Sequence, residues 1–245
     1  MKKLKSTILL QIFQSRWSIL VYYGVILLVF ALNTCSAWFF EGREVSINGT
    51  DFSTAVFLFI TAAIFMKTQF PFFLQNGISR RTTFVSSILT GGVFAVGMTL
   101  FTQLIALLAH LVSSNISTTF FAIYSERYGY HYNPPAFFEG LIWNFAMNLM
   151  FYLIGLFFSA LMYRLNRILK TVVFAGLGAL ALFLPALDVS LGNGQIIQSL
   201  GRAFLFCMGL LENCNPFYAV ATFLILGALF AAGEYLFLRR ATVKK

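Results

Sequence analysis

Six stretches of the chain are apolar for long enough to cross a bilayer, and no other feature restricts its fold so tightly. They run 17–40, 54–74, 84–112, 138–163, 171–191 and 217–238. A helix rises 1.5 Å per residue, so about 20 residues span roughly 30 Å of hydrocarbon. In that solvent backbone N–H and C=O groups must be satisfied internally, which makes each run a helix. The stretch 84–112 is longer than a crossing needs and implies tilt or extension. A soluble domain carries about 25% charged residues, whereas this chain has 10%, with 59% hydrophobic and a mean hydropathy of +0.82. The expected fold is all-α, one polytopic membrane domain over 1–245 with a six-span bundle within 17–238.

Charge placement orients the bundle. With the N-terminus in the cytoplasm, the inward segments hold Lys2, Lys3, Lys5, Arg16, Arg80, Arg81, Arg164, Arg167, Lys170, Arg239, Arg240, Lys244 and Lys245. The outward side keeps Arg43, Arg127 and Arg202, and seven of the eight acids: Glu41, Glu44, Asp51, Glu126, Glu139, Asp188 and Glu212. The positive-inside rule then puts both ends in the cytoplasm and the chain in the cell (plasma) membrane as a multi-pass protein. The net charge of +9 is spread in short clusters between spans, which argues against nucleic acid as a partner.

Three segments are not simple spans. In 1–16, Leu4, Ile8 and Ile12 with Leu9 and Phe13 form one helical stripe apart from Lys2, Lys3, Lys5 and Gln11, so an amphipathic helix along the inner leaflet is expected. A plain extension of the first span is the alternative. A signal peptide is a poor fit: the apolar run is roughly 24 residues, too long, and no small-x-small cleavage site follows. The outer loop 113–137, rich in Ser, Thr, Asn and Tyr, is too polar to insert, and Tyr124, Tyr128, Tyr130 and Tyr132 read as an interfacial belt or as cargo contacts. In 195–213, Ile196, Leu200, Phe204, Met208 and Leu211 recur at helical spacing. This segment is short for a crossing and reads as a re-entrant or interfacial helix between spans five and six, ended by Asn215-Pro216.

Catalytic chemistry is scarce. No metalloprotease, serine-hydrolase, phosphate-loop or CxxC motif is present. His110 and His131 are isolated, and no metal set is expected. Cys207 and Cys214 can pair if the backbone breaks between them, but on one continuous helix they would lie about 10 Å apart, too far to bridge, which favours free thiols there as at Cys35. Among charges near the spans, Lys67 and Glu234 sit at similar depths near the cytoplasmic ends and can form an ion pair or snorkel separately. Asp188 is expected simply to reach water. The absence of acids at the midplane weighs against an ion-driven carrier. Gly91, Gly92, Gly97, Gly176 and Gly178 are expected to let helices pack closely.

The segment between spans two and three carries the most local information. Pro71 interrupts the second helix, Asn76-Gly77 signals a turn, and Ser79 is placed to cap a helix that bears Arg80 and Arg81 and runs into span three. The reading is a rigid, cationic knuckle on the cytoplasmic side.

The stretch LQNGISRRTTF resembles the segment that introduces the third helix in permease subunits of type-2 ABC exporters of Gram-positive bacteria. The amphipathic start, the six spans and the helical re-entry before the last span are similar to that family too. The resemblance implies a permease with no ATPase site of its own, so not an enzyme, and no bound cofactor. ATP and Mg would reside on a separate cytoplasmic ABC ATPase subunit, and a second permease half, identical or different, would complete the pathway. It places the ATPase-coupling contacts at Gln75, Asn76, Gly77, Ile78, Ser79, Arg80 and Arg81, and implies export of an amphipathic or hydrophobic cargo such as an antimicrobial peptide, a drug or a lipid. The competing readings are an ATP-independent transporter or channel and a non-transport immunity or scaffold protein.

Overall fold

A computed structural model describes residues 2–39, 49–112, 118–128, 134–191, 194–211 and 214–239, apart from some helical side chains, chiefly those of 33–39, 109–112 and much of 180–191. All regular structure among the described residues is helical: α1 (Lys2–Phe39), α2 (Thr50–Ala63), α3 (Phe65–Thr68), α4 (Phe70–Gln75), α5 (Arg80–Val112), α6 (Thr119–Ile123), α7 (Ser125–Tyr128), α8 (Pro134–Arg164), α9 (Arg167–Leu191), α10 (Gln195–Cys207) and α11 (Pro216–Arg239). Five segments are long and apolar enough to cross a membrane: Leu4–Val29, Thr50–Thr68, Arg80–Leu108, Pro134–Arg164 and Pro216–Arg239. The stretch expected as span five is helical as α9.

Helix ends follow local chemistry. Pro134 and Pro135 open α8 and Pro216 opens α11, where the missing N–H costs no intrahelical bond. The side-chain oxygen of Asn215 accepts from Phe217 N at 3.1 Å and caps α11. Nothing breaks α1. No Gly or Pro lies between Lys2 and Tyr23, and α1 continues as one helix through Arg16.

Helix α8 is the central post, packed against α11, α2 and α5, with α1 outside α5. One buried cluster joins Leu58, Met66, Phe70 and Phe73 to Phe94, Met98, Tyr152 and Leu156. A second joins Phe120, Phe121 and Tyr124 to Trp143, Met147 and Phe223. On the face that α1 turns inward Thr7, Gln11 and Ser15 are buried and Leu10, Ile12 and Ile19 pack half-buried on the core cluster, while Leu9 and Phe13 are exposed. The expected apolar stripe is thus divided, Ile12 towards the core and Leu9 and Phe13 away from it, and in lipid exposed apolar side chains gain nothing by leaving the hydrocarbon. Polar seams run on between helices. Gln11 Nε2 donates to Ser86 Oγ (3.4 Å), Thr54 and Thr102 hydroxyls meet at 3.1 Å, and Asn148 Nδ2 donates to Thr99 Oγ1 (2.9 Å).

One close helix approach rests on a glycine outside the expected set. At Gly155 an added Cβ would strike the Phe59 carbonyl oxygen and Ala62 on α2. Of the expected glycines Gly91 lies under the Tyr152 ring, whereas Gly92, Gly97, Gly176 and Gly178 face open space. Gly155→Ala is therefore expected to push α2 off α8 and cost about 1–3 kcal/mol, as overpacking does. Gly92→Ala should be neutral or slightly stabilising. Thermal unfolding of the two variants in detergent checks the contrast, and equal midpoints would contradict it.

Candidate functional site

The chain from 64 to 82 turns twice before it re-enters the bundle. The expected single second span is three helices, separated at Ile64 and Gln69. Pro71 has no N–H to return to the turn before it. At the first break the freed Met66 N–H donates to Ser159 Oγ of α8 at 3.0 Å, so the interruption is satisfied inside the protein.

At the end of α4 the chain reverses in a Schellman turn. Gly77, with φ +66°, donates to Leu74 O (3.1 Å), and Ile78 N donates to Phe73 O (3.0 Å). The accompanying apolar contact is present, with Ile78 packed on the cluster that contains Phe73. Asn76 ties itself to the last turn through Nδ2 to Phe72 O at 2.8 Å. Ser79 then caps α5, its Oγ accepting from Thr82 N at 3.2 Å. The turn expected at Asn76-Gly77 and the cap expected at Ser79 are both present.

The exposed residues of this knuckle are Gln75, Asn76, Gly77, Ser79, Arg80 and Arg81, with Ile78 half-buried beneath them. The two arginines differ. Arg80 Nη1 donates to Arg239 O at 2.8 Å, putting a cation on the C-terminal carbonyl of α11, where the helix dipole favours it. Arg81, equally exposed, has no such contact among the described residues. A cavity of about 330 Å³ lies between the knuckle and the first turns of α1, lined by Ser6, Thr7, Leu10, Phe72, Phe73, Asn76 and Ile78. One end of the bundle thus gathers the start of α1, the knuckle and the end of α11.

Lys67 and Glu234 have different surroundings. Lys67 is exposed on α3. Glu234 on α11 is fully buried, its Oε1 3.5 Å from Ser87 Oγ and its Oε2 without a hydrogen-bond partner. Ser87, not Lys67, is its neighbour.

At the opposite end the expected polar loop is partly a packed lid. Within it α6 and α7 form, and Phe120, Phe121 and Tyr124 are buried against Trp143 and Phe223. Thr118 caps α6. The buried Asp51 adds its carboxylate to the same helix start, taking backbone N–H groups of Thr119 and Phe120 and the amide of Asn144 (3.3 Å). Tyr124 donates to Met208 O at 2.7 Å, and burial pushes its phenol up to about 12. Tyr128 donates to Glu139, so Tyr124 and Tyr128 both tie the lid to the bundle; Tyr130, Tyr132 and His131 lie outside the described residues. Cys207 and Cys214 are free thiols, Cys214 donating to Glu126 Oε2 at 3.3 Å.

Asp188 corrects the expectation that it reaches water. It is 2% exposed, and its two oxygens accept from Ile196 N (3.0 Å) and Ile197 N (2.7 Å), fastening the start of α10. The backbone N–H of Gly194 returns to Asp188 O, closing the turn. Helix α10 stops at Cys207, earlier than the expected 213, because Gly209 at φ +69° makes a second Schellman turn. Its 13 residues reach about 20 Å, too short to cross. Ile196, Leu200 and Phe204 on it are exposed. A carboxylate eight residues upstream of its target leaves no familiar motif, so the spacing alone did not reveal it.

Among the described residues no group of three or more His, Cys, Asp or Glu side chains is placed to hold a metal. Comparison with known proteins finds no family model, no curated protein and no solved structure that matches the chain. What the fold itself defines is an all-helical, multi-pass membrane protein.

Removing the Asp188 carboxylate should release α10 alone. Asp188→Ala is expected to raise amide hydrogen exchange over 195–199 by roughly tenfold, for the loss of about 1–2 kcal/mol of capping, while α8 keeps its protection. Unchanged exchange at 196 and 197 would show that the cap does not hold the helix.

Proposed function

We propose that the chain is the membrane-spanning permease subunit of an ATP-driven ABC exporter. In this reading α9 is the sixth span, both termini and the knuckle lie in the cytoplasm, and α10 rests at the outer membrane surface. A separate cytoplasmic ATPase binds ATP and Mg, and a second permease half completes the pathway. The cargo is amphipathic or hydrophobic, moved from the cytoplasm outward. The single observation that carries the reading is the knuckle: an exposed turn, closed by Schellman and N-cap hydrogen bonds and continuous with the 33-residue helix α5. A push on such a turn is transmitted along α5 rather than absorbed in a loose loop. The Arg80 contact to Arg239 O would carry part of the displacement to α11, so two of the crossing helices respond to one contact.

A specific observation favours a second reading. Glu234 is an acid wholly inside the bundle, and intramembrane acids often mark ion pathways. That supports an ATP-independent carrier of the same topology.

Arg81→Glu separates the two. The side chain is exposed and has no structural partner to lose among the described contacts, unlike Arg80, whose reversal would also uncap α11. With an ABC ATPase co-expressed, wild-type protein should recover the ATPase on purification and Arg81→Glu should recover roughly tenfold less, about 1.4 kcal/mol of lost charge complementarity. The purified chain alone should hydrolyse no ATP. Undiminished recovery with Arg81→Glu, or labelling of Ser79→Cys by an impermeant thiol reagent from outside intact cells, would remove the coupling assignment.

A further inference from the structure

Glu234 is a buried carboxyl that the coupling reading leaves unused. It lies five residues before the end of α11, about 7–8 Å along the helix from that end, and is 0% exposed. The ring of Tyr152 on α8 is within its electrostatic reach, and Ser87 on α5 is its hydrogen-bonding neighbour. Of the cations that the packed helices bring to this end, Arg81 of α5 is exposed without a partner among the described residues, and two others are engaged elsewhere. Arg80 of α5 is on the Arg239 carbonyl, and Arg164 of α8 stands 5.4 Å from the Phe237 ring. Helix α10 meets the far end of α11, through Cys207 O and Thr222. No described cation pairs with the carboxyl.

The Ser87 hydroxyl sharpens the point. It has a single proton, and its closer acceptor is Phe84 O at 2.8 Å, against 3.5 Å to Glu234 Oε1. That proton has its closer acceptor in its own helix, so Ser87 offers Glu234 Oε1 at most one long, shared hydrogen bond. A carboxylate there would have that single weak donor on one oxygen and no partner on the other, Oε2. An ionised group in that setting has no counter-charge among the described residues and too few donors to replace its hydration. A metal cation would require several converging oxygens, which this place does not offer. A proton needs only one acceptor beyond the carboxyl, and Ser87 Oγ supplies it.

We propose that Glu234 is an intramembrane proton-binding site, its carboxyl O–H donating to Ser87 Oγ while α5, α8 and α11 are packed together. Parting α5 from α11 would admit water and donors and let the proton leave as the carboxylate forms. Helix α5 is the element that begins at the knuckle, so displacement of its first turns and occupancy of Glu234 by a proton are linked. The site stands without any ATPase and is tested without one.

The experiment uses the full chain in phosphatidylcholine vesicles. Dicyclohexylcarbodiimide, which is apolar, adds to protonated carboxyls in apolar surroundings and leaves a stable acylurea. Mass mapping should find one adduct on Glu234, diminishing as pH is raised, and none at that site with a water-soluble carbodiimide. Infrared spectra should show the carbonyl stretch of a protonated carboxyl that Glu234→Gln removes. Glu234→Gln keeps a neutral group of the same shape and should fold, and the adduct map on wild type is informative without it. Absence of the adduct at every pH, or equal labelling by the water-soluble reagent, overturns the proposal. Loss of ATPase recovery with a normal adduct would strike the coupling reading and leave this one standing.

Discussion

In an apolar solvent it is the polar side chain that has a reason to turn inward, and most of this structure follows from that inversion. Thr7, Gln11 and Ser15 of α1, and Thr83, Ser86, Ser87, Thr90, Thr99, Thr102 and Gln103 of α5, are buried, while Leu20, Val21, Val25 and Leu28 of α1 face outward. Interhelical hydrogen bonds in membranes average only about 0.6 kcal/mol, so no single pair holds the bundle. Their effect is to fix rotation: once Gln11 meets Ser86, the turn of α1 about its axis is set. Close packing then supplies cohesion, most tightly where Gly155 lets the Phe59 carbonyl of α2 lie directly against α8.

The same constraint governs where the chain is allowed to break. An interrupted helix inside a membrane strands backbone groups unless protein satisfies them. The break at Ile64 is tolerated because Ser159 receives Met66 N–H. The reversal at Asn76–Gly77 is tolerated because the Schellman bonds and the Ser79 cap close both helix ends locally. α10 repeats the solution with two devices, a distant carboxylate at its start and a glycine turn at its end. Irregularity in this protein is therefore concentrated at the two ends of the bundle, where a moving part or a partner can be reached.

How far the residues announced this depends on distance along the chain. Pro71, Asn76, Gly77 and Ser79 act on neighbours within five residues, so the knuckle was legible as written, and the long helices α5, α8 and α11 were legible from the length of their apolar runs. Partners far apart were not. Arg80 finds its acceptor 159 residues away, which turned one of two apparently equivalent cations into a helix cap. The burial of Gln11 on α1 was not legible either, because its partner Ser86 lies 75 residues away. The lid at 118–128 was hidden by its Ser, Thr and Tyr content, which masks the Phe120, Phe121 and Tyr124 anchor. The separation of Lys67 from Glu234 depends on the break at Ile64 and on Ser87, neither of which pairing by depth alone could register.

These facts join at α5. Its first residue holds the end of α11 through Arg80, and its second turn presents Ser87 to Glu234 on that same helix. Two contacts between one pair of helices, about 10 Å apart along α5, cannot move independently of each other while both helices stay rigid. A displacement that parts α5 from α11 at the Arg80 contact would therefore also lengthen the distance between Ser87 and Glu234, whereas movement of the two helices together would keep it. A neutral carboxyl tolerates that contact in its packed form, and an ionised one tolerates it only after water or a donor arrives. In the proposed mechanism the charge state of a single buried side chain is in this way tied to the exposed, hydrogen-bonded turn at the knuckle.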